Sequence, residues 1–174
     1  MKKKSLLFSI LILFSALVFG QTKREKKELK QREQEKQFEA TKQLLDSATY
    51  EFNADWANSF QGRRISLVTN PNHLKMNKNE AKIYLPYYGI AHTSNAAFAN
   101  DGGVVFEGSV EDYQFKVNEK KKEITITFRC RATRETLDFS LTVYASGNSR
   151  LTVNSSIRTG VKYEGRTSSL ATVE

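Results

Sequence analysis

The feature that most constrains this chain is an alternation of apolar and polar residues with period two, repeated in short segments from residue 49 onward. Leu137, Phe139, Leu141 and Val143 alternate with Asp138, Ser140, Thr142 and Tyr144; Tyr113, Phe115 and Val117 alternate with Gln114 and Lys116. Successive side chains of an extended strand point to opposite faces, so the pattern makes strands with one buried and one wet face. The same rule predicts strands at 49–54, 63–69, 72–77, 80–85, 103–107, 111–118, 122–131, 136–145, 149–157 and 160–164. Turn-forming groups separate them, among them Asn70-Pro71-Asn72, Asn77-Lys78-Asn79, Ser146-Gly147-Asn148-Ser149 and Thr159-Gly160. Short connections of this kind join neighbouring strands in antiparallel hairpins. The expected fold is mainly β, an antiparallel β-meander that closes into a small barrel-like domain or folds into a sandwich, because each strand has one face to bury. Up-and-down connections favour the closed or half-open barrel over a Greek-key sandwich.

The residues before this domain divide into two parts. Lys2, Lys3 and Lys4 precede an uncharged stretch of Leu, Ile, Phe, Val and Ala that ends in Val18 and Gly20. A charged start, an apolar middle and small residues at the end make a secretory signal peptide, residues 1–20, with cleavage expected after Gly20. The stretch falls short of the roughly 20 apolar residues that span a bilayer, so no transmembrane span is expected in the mature chain. No cysteine follows it for lipid attachment, and the expected location is periplasmic or secreted, soluble after cleavage. Loss of the three lysines lowers a net charge of +8 by three, an excess that serves solubility and could favour anionic surfaces.

Residues 21–47 read as a charged helical spacer. Between Lys23 and Asp46 stand eight basic and six acidic residues with no Gly or Pro, strong helix formers throughout. Nothing apolar lies between Leu29 and Phe38, so a coiled-coil heptad is excluded and only the second half, with Phe38, Ala40, Leu44 and Leu45, can dock on anything. Residues 48–174 then form a single β-rich domain, long enough to bury about two thirds of its unfolded surface.

The residues offer little catalytic chemistry. Cys130 is the sole cysteine, so the core must hold the fold without a disulfide, and its place beside Ile124, Ile126 and Phe128 makes it a buried apolar residue rather than a nucleophile. His73 and His92 are the two histidines, and neither stands in a metal-ligand spacing, so no metal and no cofactor are expected. Glycine-rich phosphate loops and a nucleophile elbow are missing from the sequence. Glu107, Glu111 and Asp112 would be the carboxylates of a glycan hydrolase, though a solvated hairpin end explains them as well. Arg129, Arg131 and Arg134 with Lys120, Lys121 and Lys122 form a basic strip, but threonines occupy the places where a nucleic-acid surface would interleave aromatic rings, so no nucleic acid is expected.

One segment breaks the repetition: Tyr84-Leu85-Pro86-Tyr87-Tyr88-Gly89, which opens the long connection from Pro86 to Gly103. Pro86 cannot donate a ladder hydrogen bond and ends its strand. The rings of Tyr84, Tyr87 and Tyr88, with His92 and Phe98 further along, either wall a ligand pocket or plug one end of the sheet. Leu85-Pro86-Tyr87-Tyr88-Gly89, then Phe106-Glu107-Gly108, then Asn154-Ser155-Ser156-Ile157-Arg158 and Tyr163-Glu164-Gly165 resemble the exported bacterial proteins grouped as domain of unknown function 4251. The resemblance spans about Tyr50 to Gly165. It implies a β-rich secreted domain and transfers no catalytic residue. Many such proteins carry a lipid-attachment cysteine, from which this chain departs.

The expected function is that of a non-catalytic binding module of the cell envelope, a monomer that contacts an unidentified ligand or envelope protein through Tyr84, Pro86, Tyr87, Tyr88, His92 and Phe98. The alternatives are an envelope glycan hydrolase and a structural or assembly protein acting through the N-terminal helix.

Overall fold

A computed structural model describes residues 2–58, 62–88 and 103–170, and side chains from residue 23 onward within that range. One helix, α1 (Lys2–Asp46), precedes ten strands: β1 (Thr49–Asn58), β2 (Arg64–Ser66), β3 (His73–Asn77), β4 (Glu80–Pro86), β5 (Gly103–Ser109), β6 (Glu111–Asn118), β7 (Glu123–Arg131), β8 (Thr136–Tyr144), β9 (Asn148–Ser155) and β10 (Val161–Ser169). The chain divides into two compact units, Met1–Lys36 and Gln37–Glu174. Among the described residues no helix is long and apolar enough to cross a membrane.

The strands form one antiparallel sheet with the order β5-β4-β3-β1-β10-β9-β8-β7-β6. Residues 49–52 of β1 pair with β3 and residues 56–58 pair with β2, so β2 and β3 lie end to end along one side of β1 as a single interrupted strand. On its other side β1 pairs with β10, which joins the first and last strands of the sequence. With β2 and β3 counted as one strand, every other pair of neighbours is consecutive, which is the up-and-down meander expected from the short turns.

The expected hairpin between residues 103–107 and 111–118 is not formed. β5 and β6 stand at opposite ends of the ladder path and are linked by Val110 alone. A one-residue link is too short for a hairpin turn, whose common minimum is two. Gly108, at φ 150°, and the Val110 amide, donating to Asn79 O at 2.8 Å, turn the chain away instead. Because consecutive strands occupy the two ends of the path, the sheet must curl until its edges approach. The result is a nearly closed, barrel-like sheet.

Its interior is the apolar half of the alternation: Phe52, Leu74, Met76, Ile83, Leu85, Ile124, Ile126, Leu141 and Leu151 are all at most 1% exposed. Phe128 and Phe139, cross-strand partners on β7 and β8, stack at 4.8 Å between ring centroids. The last turns of α1 complete this core. Phe38 and Leu45 are fully buried, Thr41 Oγ1 donates to Ala145 O at 3.1 Å, and Lys42 pairs with Glu119 at 2.9 Å. Leu44 is half-buried, whereas Ala40, expected on the docking face, is exposed. The helix stops where Ala48 takes a left-handed φ of 49° and its amide bonds Leu45 O at 3.0 Å, a C-terminal cap of the type that usually takes glycine.

Candidate functional site

At one place three of the distinctive stretches of the sequence meet. β4 ends at Pro86, whose carbonyl accepts a 2.8 Å hydrogen bond from the Tyr163 hydroxyl on β10. Burial of Tyr163 raises its pKa and keeps that hydroxyl a donor. After β9 the Ser155 side chain organises the next turn: its Oγ accepts from the amides of Ile157 and Arg158, both at 3.2 Å, and donates to Glu135 Oε2 at 2.6 Å. A serine hydroxyl in this role holds a turn that would otherwise leave amides unpaired.

That turn aims Arg158 inward. The residue is 5% exposed. Its Nε donates to Glu135 Oε2 at 3.0 Å, its Nη2 bonds Glu135 Oε1, and its Nη1 donates to Gly103 O at 2.9 Å. The guanidinium lies over the Tyr87 ring, 4.7 Å from the centroid. The Tyr87 hydroxyl in turn contacts Thr159 O at 3.0 Å and Thr159 Oγ1 at 3.2 Å. A planar fork bound twice to one carboxylate and stacked on an aromatic ring uses the features that distinguish arginine from lysine. The consequence is geometric: Pro86 and Gly103, where the long connection leaves β4 and enters β5, are pinned at one node.

The expected ligand contacts are distributed unevenly around it. Pro86 and Tyr87 belong to the node, and Tyr88 is half-buried against the core beside it. Tyr84 does not join them: inward Ile83 and Leu85 send it to the outer face, where it meets His73 at 6.3 Å between ring centroids. Burial lowers the pKa of His73, the neighbouring Lys75 adding to the effect, and its Nε2 has no hydrogen-bond partner among the described residues. His92 and Phe98 lie outside the described residues.

Several charged groups of the outer face are paired. Arg129 bridges Asp112, at 3.0 Å, and Asp138, at 2.8 Å, and Arg131 bonds Glu111 at 2.7 Å. A bulge between Glu111 and Gln114, with Asp112 at φ 55°, turns the Asp112 carboxylate toward Arg129. The strip that reads as basic in sequence is therefore interleaved with acids, and two of its three arginines, Arg129 and Arg131, are neutralised. Glu107 pairs with Lys82 at 3.0 Å, so the carboxylates considered for hydrolysis each turn to a different cation. Two shallow grooves of about 320 and 360 Å³ share Arg129, Asp138 and Asn154 on this face. Cys130 is fully buried, and burial pushes its thiol up to about 12, which leaves no thiolate at neutral pH.

In the sequence Arg158 and Tyr163 stand out only as pieces of a pattern, and nothing singles out Glu135. A buried ion pair has no periodic signature, and Glu135 lies in the short link between β7 and β8, outside the alternation. The one available signal was a polar residue close to the Asn-Ser-Ser-Ile-Arg stretch across the β8–β9 pair.

Comparison with known proteins gives the family and the fold. A family model described as Domain of unknown function (DUF4251) matches residues 32–167, which include Tyr87, Gly103, Glu135, Arg158 and Tyr163. Among solved structures, the crystal structure of a DUF4251 family protein from Bacteroides eggerthii DSM 20697 is similar with a TM-score of 0.58 and 17% identity, over 76% of this chain and 87% of that one. At that identity the likeness is one of fold. No curated protein matches the chain.

Proposed function

The chain belongs to the DUF4251 family, a domain of unknown function, and from that premise we propose that it is a non-catalytic binding module of the cell envelope, exported and cleaved after Gly20. The observation that carries this reading is the node itself: Arg158, Glu135 and Tyr163 hold both ends of the β4–β5 connection at one point, with the half-buried Tyr88 ring beside it. A rigid anchor under a connection of this length suits a loop that carries function. Glu107, Glu111, Asp112 and Cys130 are engaged in ion pairs or buried, which favours binding over hydrolysis. Pro86, Tyr87, Tyr88, His92 and Phe98 are the proposed ligand contacts, with Tyr84 at the margin.

Thermal-shift screening of the protein that starts at Gln21 against lipids, glycans and peptides tests the proposal. A ligand should raise the melting temperature, and Tyr88→Ala should weaken that ligand at least about tenfold, a loss near 1.4 kcal/mol, beyond the lowering of the free protein's own melting temperature that loss of this half-buried ring brings. Absence of any shift across the panel, or a Tyr88→Ala effect confined to stability, would count against it. Mass determination of the exported protein tests the cleavage site: a chain beginning at Gln21 is expected.

A further inference from the structure

A second surface, independent of the node, lies on the outside of β1, β9 and β10. The register of β1 against β10 shifts between Ala54 and Trp56, so Ala54 faces Gly165 and Trp56 faces Glu164. With Ala54 and Ala57 both inward, the bulge sends two consecutive residues, Asp55 and Trp56, to the outer face. This requires β1 to press onto β10 at a point where a side chain cannot fit: a Cβ on Gly165 would lie 2.0 Å from Asn53 O. Bulges of this kind re-aim side chains near functional sites.

What they aim here is the one tryptophan of the chain, half-exposed on a face that is otherwise polar. A groove of about 330 Å³ surrounds it, lined also by Asp55, Arg64, Tyr144, Arg150 and Glu164. Arg64 lies over the indole at 4.3 Å and is held by Glu164 at 2.9 Å, and Arg150 stands opposite Glu164 in the β9–β10 register. Two guanidinium groups and two carboxylates leave no net charge, so neither an anion nor a cation is selected. Instead the groove offers donors and acceptors side by side next to an aromatic face.

The geometry points to a binding site for a neutral oligosaccharide. A pyranose ring presents apolar C–H groups on one face and pairs of hydroxyls at its edge, which match an indole flanked by arginine and carboxylate. The groove volume accommodates one or two such rings. Arg64 covers the indole in the free protein, but its side chain is 54% exposed, and both its stack and its ion pair are of the weak, solvated kind that a ring can displace.

Because Trp56 is the sole indole, its fluorescence reports on this groove without interference. The purified full-length protein is titrated with chitotetraose, mannotetraose and, as the charged counterpart, tetragalacturonate. One neutral sugar should shift the emission saturably, Arg150→Ala and Glu164→Gln should each weaken it at least about tenfold, a loss near 1.4 kcal/mol, and Tyr88→Ala should leave it unchanged. No response to either neutral sugar overturns the proposal, as does a response to tetragalacturonate alone, a response that survives both groove variants, or one that Tyr88→Ala removes. Unchanged urea midpoints for the groove variants separate lost binding from lost structure.

Discussion

Removing a guanidinium from water carries a desolvation penalty of several kcal/mol, which only well-placed acceptors offset. Arg158 has them in Glu135 and in Gly103 O, to which its Nη1 donates. Arg158→Ala would remove the charge that balances a carboxylate only 12% exposed. The expected loss is about 3–5 kcal/mol, read as a lowered urea midpoint, and Arg158→Lys, which keeps the charge but not the fork, should recover only part of it. An Arg158→Ala protein as stable as the parent would refute the node as a structural anchor. Little of this was legible in the sequence, because the partners lie 23 and 55 residues from Arg158 and no local pattern links them. The tyrosines were misgrouped for a related reason. Strand parity governs Tyr84 and places it outside, while Tyr87 lies past Pro86, where parity no longer applies and Arg158 decides its position.

Strands are legible in the sequence wherever a buried residue alternates with a wet one, and obscured where that rule lapses. β1 was expected to stop at residue 54 but continues to Asn58, because the bulge places two outward residues in a row and breaks the period. β10 was expected to end at 164 but runs to Ser169; the inward positions of its second half are Gly165 and Thr167, neither of which looks like core. Conversely, Leu67 and Val68 extended the expected strand at 63–69, yet the ladder holds only Arg64–Ser66, and Val68 is 70% exposed in a turn. The junction of β1 and β10 therefore depends on a glycine that hydrophobic patterning ignores. Since the clash at Gly165 is with backbone, which cannot swing aside, Gly165→Ala should lose about 2–3 kcal/mol, the upper range of overpacking. It should also alter the Trp56 emission of the folded protein, since Trp56 stands just past the bulge. A stable variant with parental emission would show that β1 and β10 can part without cost.

At the scale of the molecule, the burial pattern divides the helix into a part the barrel needs and a part it does not. Residues 23–36 are exposed throughout, and the compact unit begins at Gln37. Phe38 and Leu45 are fully buried and belong to the same core as Phe52, Leu141 and Tyr163. Loss of a buried Phe or Leu side chain costs about 2–5 kcal/mol, so the barrel's stability should hinge on where the helix is cut. A chain starting at Gln37 is expected to melt within about 2 °C of one starting at Gln21, because no apolar burial is lost. A chain starting at Ser47 loses Phe38, Leu45 and the Thr41 contact to the β8–β9 turn, and should melt more than about 10 °C lower or fail to fold. Differential scanning calorimetry of the three chains decides the matter. Equal melting of the first and third would mean that the sheet closes without the helix, and early melting of the second would assign a stabilising role to residues 21–36.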